Sequence, residues 1–259
     1  MSKAPVMFIS HGSPMWALDP GEAGAQLMQL TAQFAQLNAV VIISPHWITA
    51  EAEVTSSSQP DTIHDFGGFP AALYQLQYPA PGSAVIAGQV ADCLSCAGIK
   101  VSLNHQRGLD HGAWVPLRFL LPQADIPVIQ LSLPANLSPM QLVALGESLA
   151  PLREQNIAVI TSGSITHNLR DIVRHEDAAP ADYVVRFQAW VRQQVSERQI
   201  AALCQPQLET EAFSRAHPSA DHYLPLLIAM GASSASDSLN VLQSPILYSA
   251  LSMESYLWQ

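Results

Sequence analysis

The chain has 259 residues, 49% of them hydrophobic and only 12% charged, proportions that suit one globular domain with a thick core. Its formal net charge is −10 and its 11 Lys and Arg are scattered, which argues against a nucleic-acid surface or an anionic-membrane patch. No apolar run approaches the roughly 18–20 residues of a membrane span, the opening "MSKAPVMFIS" holds too short an apolar run for a secretory signal and lacks a small-residue cleavage site, and three cysteines form no disulfide framework, so a soluble cytoplasmic protein is expected.

In chain order, the apolar run Val6–Ile9 predicts a strand that delivers Ser10, His11 and Gly12. A helical pattern covers Glu22–Leu37, and a second strand, Val40–Ile43, runs into Ser44, Pro45, His46 and Trp47. The stretch "SSSQPDTIHDFGGFPAALY" is long for a plain connector and is expected to be functional. A helix over Ala84–Ala97 carries Cys93 and Cys96 one turn apart. Without a second pair these read as half-buried thiols rather than a zinc site. A strand at Ile99–Leu103 leads to the loop "GLDHGAWVPL" and a helix over Trp114–Leu121. After the loop "LPQADIP" come a strand at Pro127–Leu133, a helix at Pro139–Glu154 and a strand at Ile157–Ser162. Helices follow at Asp182–Arg198 and Ala220–Met230, with Ser219 or Asp221 as cap of the second. "GASSASDSLN" reads as a solvated loop, and a last strand lies within Ile246–Trp258. Apolar runs alternating with amphipathic helices predict a single α/β domain over 1–259, a mostly parallel central sheet flanked by helices.

The nine histidines are the chemical signal. His11, His46 and His167 follow strands, and ligands of an open α/β sheet bind beyond the carboxyl ends of the strands. His222 stands near a helix start that lines the same crevice. Each alone could simply bond locally, but four convergent neutral imidazoles suit Zn(II) or Fe(II). The metal site is therefore expected at the C-terminal ends of the strands. His64, in "HDFGGFP", and His111, in "LDHGAW", look presented by loops whose aromatics, Phe69 and Trp114 among them, form apolar walls. Asp110 could orient His111 for acid–base work. His105 and His175 read as surface residues, and His217 as structural or at a pocket rim.

The stretches "SHGSP", "SPHW", "HDFGGFP", "YPAPGS", "GLDHGAWVPL", "SGSITHNL", "HPSADHYLPLL" and "ALSMESY" together resemble the DODA-type extradiol aromatic ring-opening dioxygenases of the class III, LigB-like superfamily. The resemblance spans nearly the whole chain. It implies His11, His46 and His222 as ligands of one divalent non-haem metal, Fe(II) for turnover and Zn(II) in purified protein. His167 is implied as a fourth ligand or an acid–base group, and His111 as a second catalytic histidine. His64, Phe69, Trp47 and Trp114 are expected to contact the substrate. The resemblance implies that this substrate is a catechol such as L-DOPA, opened by O2 to a muconic semialdehyde. Where distant class III relatives supply a carboxylate ligand, this chain has His222. A zinc hydrolase and a non-catalytic metal- or ligand-binding protein on the same fold are the rival readings.

Overall fold

The chain alternates short strands, buried at the sheet's centre and half-exposed at its edges, with helices, and the structure, a computed structural model, describes residues 3–175 and 177–259. The strands are β1 (Val6–Ser10), β2 (Ala39–Thr49), β3 (Ala52–Thr55), β4 (Val101–Asn104), β5 (Val128–Pro134), β6 (Ile157–Gly163), β7 (Leu239–Leu242), β8 (Ile246–Leu247), β9 (Leu251–Ser252) and β10 (Ser255–Trp258). The helices are α1 (Gly21–Phe34), α2 (Ala71–Tyr74), α3 (Ala84–Cys96), α4 (His111–Leu120), α5 (Pro139–Leu149), α6 (Asp182–Ser196), α7 (Ile200–Cys204), α8 (Pro206–Glu209), α9 (Phe213–Ala216) and α10 (Leu224–Ala232). None is long and apolar enough to cross a membrane.

Eight strands form one sheet in the order β4-β3-β5-β2-β6-β1-β10-β7. Its centre, β5-β2-β6-β1, is parallel, whereas β10 and β7 add antiparallel pairs at one side and β3 meets β5 antiparallel at the other. Strands buried on both faces must be apolar at every position, and β2 shows how the faces divide. Val40 and Ile42 join the layer containing α1 and α4, while Val41 and Ile43 join the layer containing α3, α5, α6 and α10. Each such side chain contributes roughly 1.5–3 kcal/mol relative to exposure.

Three local departures from the sequence pattern have physical causes. β3 is a short added strand whose alternating Ala52 and Val54 are buried, too brief a pattern to read beside "SSS". Leu239–Leu242, taken in part as surface loop, pairs with β10 at the sheet edge, where half-polar strands are normal. The final apolar stretch divides into β8, β9 and β10, because Tyr248 and Ser249 both take positive φ, 53° and 67°, and turn the chain.

Candidate active site

The parallel register brings the ends of β1, β2 and β6 to one edge, with Ser10 opposite Gly163 and Ile43 opposite Thr161. His11 continues β1, its backbone N–H donating to Gly163 O at 3.0 Å, and its Nδ1 pairs with Ser162 Oγ at 2.9 Å. His46 arrives by a bulge. Between the pairs Ile43/Leu131 and Ile48/Leu133, residues Ser44 to Trp47 stand against Ser132 alone, and such an excess re-aims a side chain. His222 sits one turn before α10. A Cβ on Gly163 would lie 2.3 Å from His222 O, so glycine is what lets that turn close on β6. Gly112 does the same for α4, since a Cβ there would lie 2.9 Å from His46 Cδ2.

The ligand atoms of His11, His46 and His222 all lie within 4.8 Å of one another, and the Nε2 atoms of His11 and His46 are 3.1 Å apart. His222 Nδ1 donates to Asp221 Oδ2 at 2.8 Å, leaving Nε2 as a buried lone pair with no partner. Fixing one ring nitrogen and freeing the other is how histidines are prepared for a metal. Burial, then repulsion among the imidazoles, lowers the pKa of His11 well below its ordinary value. Burial and then His111 and His222 lower that of His46, against an opposite pull from Asp65. Neutral imidazoles are the ligating form, so this donor set fits a divalent metal. Asp221 is not the helix cap expected from sequence: α10 has no side-chain cap, and the carboxylate holds His222 instead.

His167 lies outside this group of mutually close donors. Its ring stacks on His222, centroids 3.5 Å apart and 7° from parallel, and burial followed by the His222 charge lowers its pKa to about 3. His111 is the first residue of α4 rather than part of a loop. Asp110, expected to orient it, caps the helix by accepting from Ala113 N and is bound by Gln130. Asp65 takes the orienting part. Its Oδ1 accepts the His111 N–H at 2.9 Å and stands 3.0 Å from Nδ1, while its Oδ2 is 3.8 Å from His46 Nδ1. Burial pushes the Asp65 carboxyl up, but the bonds and charge of His111 outweigh it and hold the pKa low. The same oxygens make His46, Asp65 and His111 a second close group of donors.

These histidines floor a cavity of about 440 Å³ whose walls include Pro14, Phe66, Phe69, Leu169, Ile172, Tyr248 and Leu251. Of the expected substrate contacts, Phe69 lines it and three residues do not. Trp47 is buried beneath the Arg107 guanidinium, 5.4 Å from its ring. Trp114 is fully buried and donates its indole N–H to Ile63 O. His64 donates to Leu76 O behind Phe66. All three brace the loop and strand that carry Asp65, Phe66 and His46. Sequence reading did not assign Asp65 to His111, nor Leu169, Ile172, Tyr248 and Leu251 to the wall. The phenylalanine pair in "HDFGGFP" was the one local signal.

The family model for the catalytic LigB subunit of aromatic ring-opening dioxygenase matches residues 5–256. The chain belongs to this family and is an aromatic ring-opening dioxygenase of the extradiol type. It is 38% identical over 229 residues to the 4,5-DOPA dioxygenase extradiol of Beta vulgaris, covering 87% of this chain and 85% of the relative. With the enzyme of that name from Escherichia coli K12 it shares 35% over 261 residues, 98% and 94% of the two chains. A crystal structure of an uncharacterized Escherichia coli K12 protein superposes with a TM-score of 0.84 at 30% identity, over 98% of this chain and 99% of the other.

Proposed function

We propose that this enzyme opens the ring of a catechol with O2 beside a hydroxyl group, giving a muconic semialdehyde, and that His11, His46 and His222 hold the metal. The observation that carries the reading is the unpartnered, buried Nε2 of His222 beside the facing nitrogens of His11 and His46, at the floor of an apolar cavity. When bound, Fe(II) supplies Lewis acidity and an electron path between catechol and oxygen, whereas redox-silent Zn(II) supplies only the first. Both oxygen atoms stay in the product, so no further reductant or oxidant is needed.

The protein's own groups do the rest. His111, with Nδ1 against the Asp65 carboxylate, is the acid–base group: the carboxylate stabilises the imidazolium formed when the other ring nitrogen takes a hydroxyl proton. His167, held neutral, offers a hydrogen bond without adding charge. Phe66 and Phe69 exclude water and pack against the ring's face. Loading the protein with Fe(II) without oxygen, adding a catechol and then admitting air should give one O2 consumed per yellow semialdehyde formed. Iron-loaded protein that consumes no oxygen with any catechol would sink the reading. Purified protein is expected to carry zinc, which such sites bind more tightly than Fe(II).

A further inference from the structure

Of the three histidines proposed to hold the metal, His46 alone is carried by a strand bulge. β2 pairs with β6 over residues 39–43 and with β5 over 40–43 and again at 48 and 49, and neither register gives residues 44–47 a partner. A bulge disrupts the ladder at such residues, and a buried backbone N–H or C=O must then be bonded by something else. At His46 two side chains do this. Ser44 Oγ accepts the His46 N–H at 3.2 Å, and Arg107 Nη2 donates to His46 O at 3.3 Å.

Both side chains meet on Asp110, which is fully buried. Its Oδ2 lies 3.4 Å from Arg107 Nη2 and accepts from Gln130 Nε2, and the Ser44 hydroxyl bonds the same carboxylate. Gln130 belongs to β5, where its backbone N–H donates to Thr55 Oγ1 at 2.8 Å. The carboxylate is thus anchored to the strand with which β2 has lost register. Arg107 is located in turn by Asn104 Oδ1, which accepts its backbone N–H at 2.9 Å, and by the Trp47 ring under its guanidinium. Gly112 leaves the room required, since a Cβ there would lie 2.3 Å from Ser44 Oγ. An ion pair on a fully buried carboxylate adds little stability by itself; this one ends on the backbone of a proposed ligand.

Resting on the reading of His46 as a metal ligand, we propose that Ser44, Arg107 and Asp110 are positioning residues of the metal site. They stand in for the missing ladder at His46 and fix the direction from which its ring meets His11 and His222. Asp110, expected from sequence to orient His111, serves His46.

Zinc affinity, by competition with a chelator, and the visible spectrum of Co(II)-loaded protein, whose bands follow ligand number and geometry, test this against the urea stability of metal-free protein. Arg107→Gln is expected to weaken zinc binding on the order of 10–100-fold and to change the Co(II) spectrum. Ser44→Ala, which deletes one hydroxyl and decides the matter if Arg107→Gln does not fold, should move both readouts the same way by a smaller factor. Arg153→Gln is the control. Arg153 bonds Ala4 O and Ala232 O, at the ends of β1 and α10 away from His11 and His222, and its loss should cost stability while leaving both metal readouts unchanged. Unaltered affinity and spectrum in Arg107→Gln and Ser44→Ala overturn the inference, as does an equal loss of affinity in Arg153→Gln, which would make metal binding follow stability at large. Those results alongside a metal-free His46→Ala defeat the inference alone, whereas full metal in His46→Ala defeats the ligand reading and the inference with it.

Discussion

Two aspartates hold two histidines in this site, with different consequences. Asp221 bonds Nδ1 of His222 at 2.8 Å and leaves Nε2 bare, as the proposed metal site requires; Asp65 lies against Nδ1 of His111, whose ring lines the cavity. Removing the first kind of histidine should remove the metal: His222→Ala and His46→Ala are expected to purify with little bound metal and an unchanged circular dichroism spectrum, checked by atomic emission. Stoichiometric metal in either variant would exclude that residue as a ligand. The second kind should separate metal content from turnover. His111→Ala is expected to keep its metal and lose kcat by roughly 10²–10⁴-fold, the range of general acid–base groups. Asp65→Asn should move the same way by a smaller factor, since it leaves the imidazole in place but withdraws the carboxylate that stabilises its charged form. Full activity in Asp65→Asn would reduce that pairing to a structural contact.

The strands that carry the site were legible because each has an apolar run buried on both faces, a pattern that survives without knowledge of its neighbours; β1, β5 and β6 lie where periodicity puts them, while β2 starts there but runs on past Ile43 to Thr49, so that His46 lies within it. What could not be read is register. The bulge that turns His46 inward depends on how β2 pairs with β5, 80-odd residues away, and the Asp65–His111 contact joins residues 46 apart. Asp110 looked like the partner of His111 because it is adjacent, but adjacency at a helix start makes it a cap for backbone N–H groups instead. The same logic moved Trp47 and Trp114 from the cavity into the supports behind it. Gly163 is where element packing reaches the chemistry. In Gly163→Ala the new methyl would stand 2.3 Å from His222 O and 3.1 Å from Phe8 Cε2, and the first, a backbone atom, cannot yield without moving the His222 turn. A loss of about 1–3 kcal/mol in stability is expected, with weakened metal retention, measured by urea unfolding of metal-free protein and by competition with a chelator. Unchanged metal retention would show that the turn can shift without disturbing the site.

Two hydrophobic layers make the sheet a rigid platform, but the site also needs the helices after α6 to stay docked on the segment that follows β6, and His217 is one polar pin between them, beside the His167–Ala216 and Asn168–Arg215 bonds. It is buried, its Nε2–H donates to Ile165 O at 2.8 Å, and its ring packs among Phe187, Phe213 and Tyr223. Sequence left it between a structural role and a pocket rim; the structure makes it structural, since it does not line the cavity. Burial lowers its pKa from 6.5 to about 4, outweighing the Ile165 bond that pulls the other way. Protonation would place a charge in this aromatic cluster and an N–H on Nδ1, which is buried and unpartnered. The sign follows from which state binds the proton. Between about pH 6.5 and 4 the unfolded chain is protonated here and the native chain is not, so acid favours unfolding. The contribution is complete above about pH 6.5, is lost progressively as the pH falls toward 4, and amounts to roughly 3 kcal/mol at about 1.4 kcal/mol per pKa unit. His217→Gln has no proton to take up in this window. The stability difference between the two metal-free proteins, from urea unfolding at half-unit steps from pH 4 to 8, should therefore shift against the wild-type protein by an amount of that order as the pH falls. A difference constant across the window would mean that His217 titrates alike in both states and that the cluster does not exclude its charge.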